Sequence, residues 1–232
     1  MHPSSLSARS NSAIAEEGLR GDWGANVGRV LLSEFGSDIK NEARAYAAAA
    51  SDARMSGCEL PVVIVTGSGN QGITASVPVI RYAKHIGASD ERLYRALLVS
   101  DLVTIHQKTG IGRLSAYCGA VSAGCGAGAG IAYLLGGDYR AIAHTIVNAV
   151  AILSGTICDG AKPSCAAKIA SAVEAGILGY YMYVNDQQFR GGDGIVAKGV
   201  ENTIRNVGLL ASQGMKQTDR VILNIMTGDQ CL

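Results

Sequence analysis

Three groups of residues have types and spacings that can do chemistry. The first is Thr66-Gly67-Ser68-Gly69-Asn70-Gln71-Gly72, which follows an apolar run and opens a helix. A glycine-rich turn at a helix N-terminus presents unpaired N–H groups, which bind a phosphate or a carboxylate. Ser68, Gly69, Asn70, Gln71 and Gly72 are the candidate substrate-binding residues, and the three polar side chains suit an amino acid. The loop is not a Walker loop and does not match G-x-G-x-x-G. An ordinary turn with an N-cap is the competing reading.

The second group is the cysteines, six in all. A disulfide framework belongs to short secreted chains, so packing, metal binding or catalysis are the uses left open. Cys118 and Cys125 fall on one face of a predicted helix, about 10 Å apart along its axis and too far to share one ion. Cys158 and Cys165 flank Asp-Gly-Ala-Lys-Pro-Ser, where Gly160 and Pro163 turn the chain and let the two thiols converge. Cys165 falls in the first turn of a helix, where the dipole favours a thiolate. Three thiolates with one coordination position open suit an iron–sulfur cluster, whereas zinc more often shows C-x2-C spacing and closes all four positions. Packed core thiols are the alternative.

The third group is charged. Asp52 and Arg54, and Arg113 at the head of a neutral helix, read as helix-end ion pairs rather than catalysts. His85, His106 and His144 lack metal-ligand spacing and are assigned no role.

The elements that must position these groups read as a succession of helices. Of 232 residues, 48% are hydrophobic, 17% charged and 30 in number are glycine. Average domains carry about 25% charge and roughly 7% glycine. Disorder is excluded by the hydrophobicity, and a nucleic-acid interface by the balance of 20 Lys and Arg against 19 Asp and Glu. Trp23 to Leu31 repeats at helical spacing, and Ser37 is placed to cap a helix running through alanines 47–50. Leu60 to Thr66 is the only segment that resembles a strand, and an extended entry to a loop is its other reading. Further helices are predicted from Ile73 to Ile86, from a Ser89 cap, over 113–135 and 138–155, from Pro163 to Met182, from Val196 to Ser212, and from Thr218. The uncharged runs Leu114–Gly137 and Ala141–Cys158 are long enough to span a bilayer, but their Gly, Ala, Ser, His and Asn content predicts buried core helices. The first twenty residues lack the apolar stretch of a signal peptide, so a cytoplasmic location is expected. The expected fold is a single all-α domain over 1–232, closely packed through Gly and Ala helix contacts, with at most one short strand near 60–66.

Gly-Ser-Gly-Asn-Gln-Gly-Ile-Thr-Ala (67–75), Gly-Arg-Leu-Ser-Ala-Tyr-Cys-Gly (112–119) and Ile-Cys-Asp-Gly-Ala-Lys-Pro-Ser-Cys-Ala (157–166) together resemble the L-cysteine desulfidase family, related to the α chain of iron–sulfur L-serine dehydratases. Ser-Asp-Ala-Arg-Met (51–55), Glu-Gly-Leu-Arg-Gly-Asp-Trp-Gly (17–24) and Gln-Thr-Asp-Arg (217–220) fit the same pattern. The resemblance covers nearly the whole chain. It implies β-elimination from L-cysteine or L-serine on a [4Fe–4S] cluster, with Cys118, Cys158 and Cys165 as its thiolates and Ser68 to Gln71 as the substrate-carboxylate loop. Asp159 and Lys162, beside the cysteine loop, are the polar catalytic candidates, and Cys231 resembles an inhibitory tail. The resemblance is to the family's C-terminal half: its N-terminal half carries a Cys-Thr-Glu-Pro motif, and nothing of that kind precedes Ser5. A separate N-terminal half or subunit and a homo-oligomer are the partners it implies, with no nucleic acid and no membrane. Ser-Gly-Asn-Gln-Gly also resembles the carboxylate loop of pyridoxal-phosphate β-eliminases, for which Lys40 would be the Schiff-base lysine. A structural or oligomerisation module is the non-catalytic alternative.

Overall fold

The computed structural model describes residues 3–154 and 156–228. Among them the chain forms ten α-helices and no strand: α1 (Pro3–Arg20), α2 (Val27–Phe35), α3 (Ile39–Met55), α4 (Gly69–His85), α5 (Asp90–Ile111), α6 (Gly119–Leu134), α7 (Tyr139–Ile152), α8 (Cys165–Val184), α9 (Val200–Leu209) and α10 (Lys216–Thr227). The all-α expectation is met. Ser89 caps α5 as expected, accepting the Arg92 N–H, whereas α3 is capped by Asp38 rather than Ser37. Each cap supplies an oxygen to N–H groups that have no partner within the helix.

α6 is the centre of the packing, and its glycines explain why. A Cβ built on Gly124 would lie 2.3 Å from the Ala172 carbonyl oxygen, and one on Gly128 would lie 2.6 Å from that of Gly176, both on α8. On the other side, a Cβ on Gly126 would lie 2.5 Å from Ser100 O of α5. Glycines alternating between two faces therefore let two neighbouring helices approach α6 at backbone distance. Apolar surface is buried by proximity rather than by large side chains, which is why so much glycine and so little aromatic content suffices. The two uncharged runs hold α6 and most of α7, and among the described residues no helix is long and apolar enough to cross a membrane.

Two connections matter for the site. Residues 60–66 enter the loop without forming a strand, and their one bridge joins Val65 to Ser68. Their neighbour is α1, whose fully buried Asn11 accepts the Val63 N–H (2.8 Å) and donates to Val63 O (3.3 Å) and Ser76 Oγ (2.8 Å). One amide side chain thus does for Val63 what an adjacent strand would do. The helix expected from residue 113 begins only at Gly119, because α5 runs on to Ile111 and Gly112 (φ 92°) breaks the chain. Residues 113–118 are left outside any helix, bent at several points and bridged at Tyr117 to Ile157. Likewise, α9 starts at Val200 rather than Val196 and passes into a π-helical turn, Leu210–Gly214.

Candidate active site

Three helices begin at one cleft. Ser68 is the N-cap of α4, Cys118 the N-cap of α6, and Cys165 the first residue of α8. All three line a cleft of roughly 270 Å³, together with Arg54, Asn70, Gln71, Cys158 and Lys168. A helix N-terminus carries about half a positive charge. Three of them, joined by a guanidinium and an ammonium, make a site for anions such as thiolates and a carboxylate.

The cysteine half is held by backbone pairing. Cys158 N donates to Ala116 O (2.6 Å) and Cys118 N donates to Thr156 O (3.1 Å), forming a bridge between Tyr117 and Ile157. This sets Cys118 and Cys158 side by side, close enough for each thiol to shift the titration of the other. The neighbouring Cys118 thiol, aided by the Gly160 N–H and Lys168, lowers the Cys158 pKa, while the Cys158 thiol and burial raise that of Cys118. Cys165 Sγ contacts Lys162 N (3.5 Å) and Gly160 O (3.7 Å), so the turn between the two cysteines closes on the second thiol. Cys125 behaves differently: it is buried within α6, its pKa is pushed up to about 12 by burial, and it does not line the cleft. Because Cys118 precedes α6, the helical spacing expected between these two residues does not apply. Cys231 lies outside the described residues.

Asp159 and Lys162 are adjacent to the cleft but are not among its lining residues. Asp159 bridges two ammonium groups, Lys162 Nζ at 2.6 Å and Lys168 Nζ at 2.5 Å, and its pKa is lowered to about 2, chiefly by Lys162 and then Lys168. A carboxylate held ionised in this way is a poor proton acceptor near neutral pH. Lys168, one turn into α8, also donates to Ile157 O (2.8 Å), which ties the cysteine loop to that helix.

The other half of the cleft is the glycine-rich loop. Thr66 (φ 50°) and Gly67 (φ 83°) take left-handed backbone angles that reverse the chain into α4. Ser68 Oγ accepts the Gln71 N–H (3.4 Å), and Thr66 Oγ1 donates to Gln71 Oε1. Asn70 and Gln71 are buried, and Arg54 Nη1 donates to Asn70 Oδ1 (3.2 Å). Gly69 and Gly72 do not line the cleft. A Cβ on Gly72 would lie 1.9 Å from Val63 O and one on Gly69 would lie 2.3 Å from Arg54 Nε, so both serve close packing. Gly119 does the same across the cleft, where a Cβ would lie 2.4 Å from Gln71 Nε2.

Arg54 and Lys168 are the lining residues that sequence reasoning set aside or passed over. Arg54 sits at the C-terminal end of α3, as a helix-end residue should, but its partner is Asn70 rather than a carboxylate. Its neighbour Asp52 is fully buried and accepts the N–H groups of Val27 (2.7 Å) and Ala25 (3.4 Å), so it caps α2 from outside. Lys40 is at the opposite end of α3, about 21 Å along the axis from Arg54. Its ammonium lies 4.9 Å from the Tyr181 ring centroid, away from the loop that a Schiff-base lysine would have to face. That separation removes Lys40 as a Schiff-base lysine for this loop.

Among the described residues, no three His, Cys, Asp or Glu side chains are close enough to share a single metal ion. A cluster imposes a different requirement, since its thiolates bind separate irons and their sulfurs stand further apart. Three cysteines on one cleft, two of them at helix starts, are the donor set that such a group takes.

The family described as serine dehydratase alpha chain matches residues 1–224. Relatives include UPF0597 proteins of Desulfitobacterium hafniense, 69% identical over 95% of this chain and 51% of the relative, and of Lachnoclostridium phytofermentans, 56% identical over 93% and 52%. A UPF0597 protein of Bacteroides fragilis is 43% identical over 97% of this chain and 54% of the relative. The chain thus spans about half the length of the curated relatives it matches. No solved structure matches it significantly.

Proposed function

Because the chain belongs to the serine dehydratase alpha chain family, we propose that the cysteine-lined cleft is the site of an iron–sulfur-dependent β-elimination. The substrate is a small L-amino acid: L-serine giving pyruvate and ammonia, or L-cysteine giving pyruvate, ammonia and sulfide. The observation that supports this reading is the placement of three thiols opposite an amino-acid-sized carboxylate loop in one cleft. Cys118, Cys158 and Cys165 would hold a [4Fe–4S] cluster. Bound there, it supplies a Lewis-acidic iron to the substituent leaving the β-carbon.

The remaining roles belong to the chain. Arg54, fixed by Asn70 and packed over Gly69, pairs with the substrate carboxylate. The N-terminal N–H groups of α4 complete that contact, with Ser68 and Gln71 shaping the loop. Lys168 spends two of its three donors on Ile157 O and Asp159, which leaves one for the cleft. Asp159 and Lys162 act through Lys168 and the loop, as positioning residues. Ile169 and Ala120 close the apolar side and exclude water.

The chain covers only about half of its relatives, so the complete enzyme in this reading is this chain together with the polypeptide that makes up their remainder, as a fused half or a separate subunit. The same fact favours one alternative, a cluster-free structural half. Anaerobic reconstitution with iron and sulfide decides between them, followed by iron analysis and a pyruvate assay on L-serine and L-cysteine, with and without the co-expressed remainder. Cluster content that falls on Cys158→Ala, with pyruvate formed in either arrangement, is the expected result. No bound iron would leave the structural half.

A further inference from the structure

A second cleft, of roughly 350 Å³, opens between the start of α7 and the connection from α8 to α9. Its size is that of a small-molecule site, about 300–1,000 Å³. Three cations line it: Arg140 of α7, and Arg190 and Lys198 of the connection. None of the three makes a side-chain hydrogen bond or ion pair to another described residue, and no carboxylate is among the lining residues. Asp193 is engaged with the Arg190 N–H (2.6 Å), and Glu201 pairs with His106 (2.8 Å). The walls between the cations are apolar or aromatic, with Tyr139, Val147, Phe189 and Val196.

The connection that carries two of the cations, residues 185–199, has no regular structure of its own. Connections beyond about 12–15 residues without secondary structure are uncommon and are usually functional. This one is pinned at defined points. Phe189 N donates to Oδ1 of buried Asn148 (3.0 Å), Ala197 N donates to Thr203 Oγ1 (3.1 Å), and Asn206 Nδ2 donates to Ile195 O (3.0 Å). Three exposed cations are thereby held at the rim of one apolar cavity, where an anion entering it meets all three.

We propose that this cleft is a binding site for a small ligand of the mononucleotide class, with a phosphate on Arg140, Arg190 and Lys198 and a planar ring against Phe189 and Tyr139. A phosphate dianion balances more of the gathered charge than one carboxylate does, and the aromatic walls accept a ring that inorganic phosphate lacks. The site shares no lining residue with the cysteine cleft and stands whether or not that cleft binds a cluster.

Isothermal titration of the purified chain with AMP, adenosine and inorganic phosphate tests this. AMP should bind more tightly than either fragment. Arg140→Ala and, independently, Lys198→Ala should each weaken it by about tenfold or more. Arg205→Ala, an exposed cation outside the cleft, should not. Both cleft variants alter exposed side chains, and their circular dichroism should match the parent. The proposal fails if AMP does not bind, if phosphate or adenosine binds as tightly as AMP, or if both folded variants keep the parent affinity.

Discussion

Cys118 and Cys158 stand side by side on one cleft although they belong to different connections of the fold. They meet because the segment before α6 pairs with the segment after α7, through Cys158 N to Ala116 O and Cys118 N to Thr156 O. The Cys158 pKa is lowered, first by its Cys118 neighbour, while that of Cys118 is raised, so of these two thiols Cys158 ionises first in the metal-free chain.

This ordering is expected to appear as selective alkylation. In the anaerobic apo chain, iodoacetamide should modify Cys158 before Cys118 at pH 7, and buried Cys125 should react only after unfolding. Lys168→Met and Cys118→Ala should each slow the Cys158 reaction, since each removes a group that stabilises the thiolate. Peptide mass spectrometry over time reads the order; equal rates at all three thiols would contradict it.

Arg54 is expected to act in binding rather than in the chemical step. In the reconstituted enzyme Arg54→Lys should raise KM for the amino acid by about tenfold or more with kcat little changed, because a point charge replaces a fork that can hold a carboxylate with two bonds. A loss confined to kcat would assign it a different role.

The α6–α8 contact gives a test of packing with an internal control. A Cβ on Gly128 would lie 2.6 Å from Gly176 O, where backbone cannot rotate away. Gly128→Ala should therefore cost at least about 1–3 kcal/mol. Gly110, inside α5, has its nearest neighbour at 3.5 Å, and Gly110→Ala should be neutral or stabilising by about 0.5–1 kcal/mol. Urea unfolding of the two variants should move in opposite directions or by clearly different amounts.

Asp101 provides the pH dependence. One of its carboxylate oxygens is buried without a partner among the described residues, and burial raises its pKa from 3.8 to about 6. The folded state therefore holds this proton more tightly than the unfolded chain does. Its favourable contribution is complete below the unfolded pKa of about 4 and is lost as pH rises through about 6. Asp101→Asn should raise the melting temperature at pH 8 by a few degrees and have little effect at pH 4. An equal shift at both values would sink this explanation.

Much of the arrangement is present in local residue pattern. The turn-forming Thr66–Gly72 run at a helix start, the Cys158–Cys165 loop closed by Gly160 and Pro163, and the charge-free glycine helices all depend on neighbours a few residues away. Each appears in the structure near its expected place. α1 escaped because its inward face mixes buried Ser5, Ser7 and Asn11 with Ile14 and Ala15, so hydrophobic periodicity carries little signal there. Its most consequential contact, Asn11 with Val63, is made across the fold.

The sequence by itself determined the residue types at the cleft, the helical class, and the small-residue faces that make close packing inevitable. Only the tertiary structure decided which of those residues meet. It moved Cys118 from a helix to a helix cap beside Cys158, excluded Cys125, committed Asp159 to two lysines, and turned Arg54 from a helix end into a wall of the site. The physical reason is that capping and turn preferences act within a few residues, whereas the partner of a charge or a thiol is set by how helices cross. In this protein the crossings are set by glycines on α6 that take no part in the site.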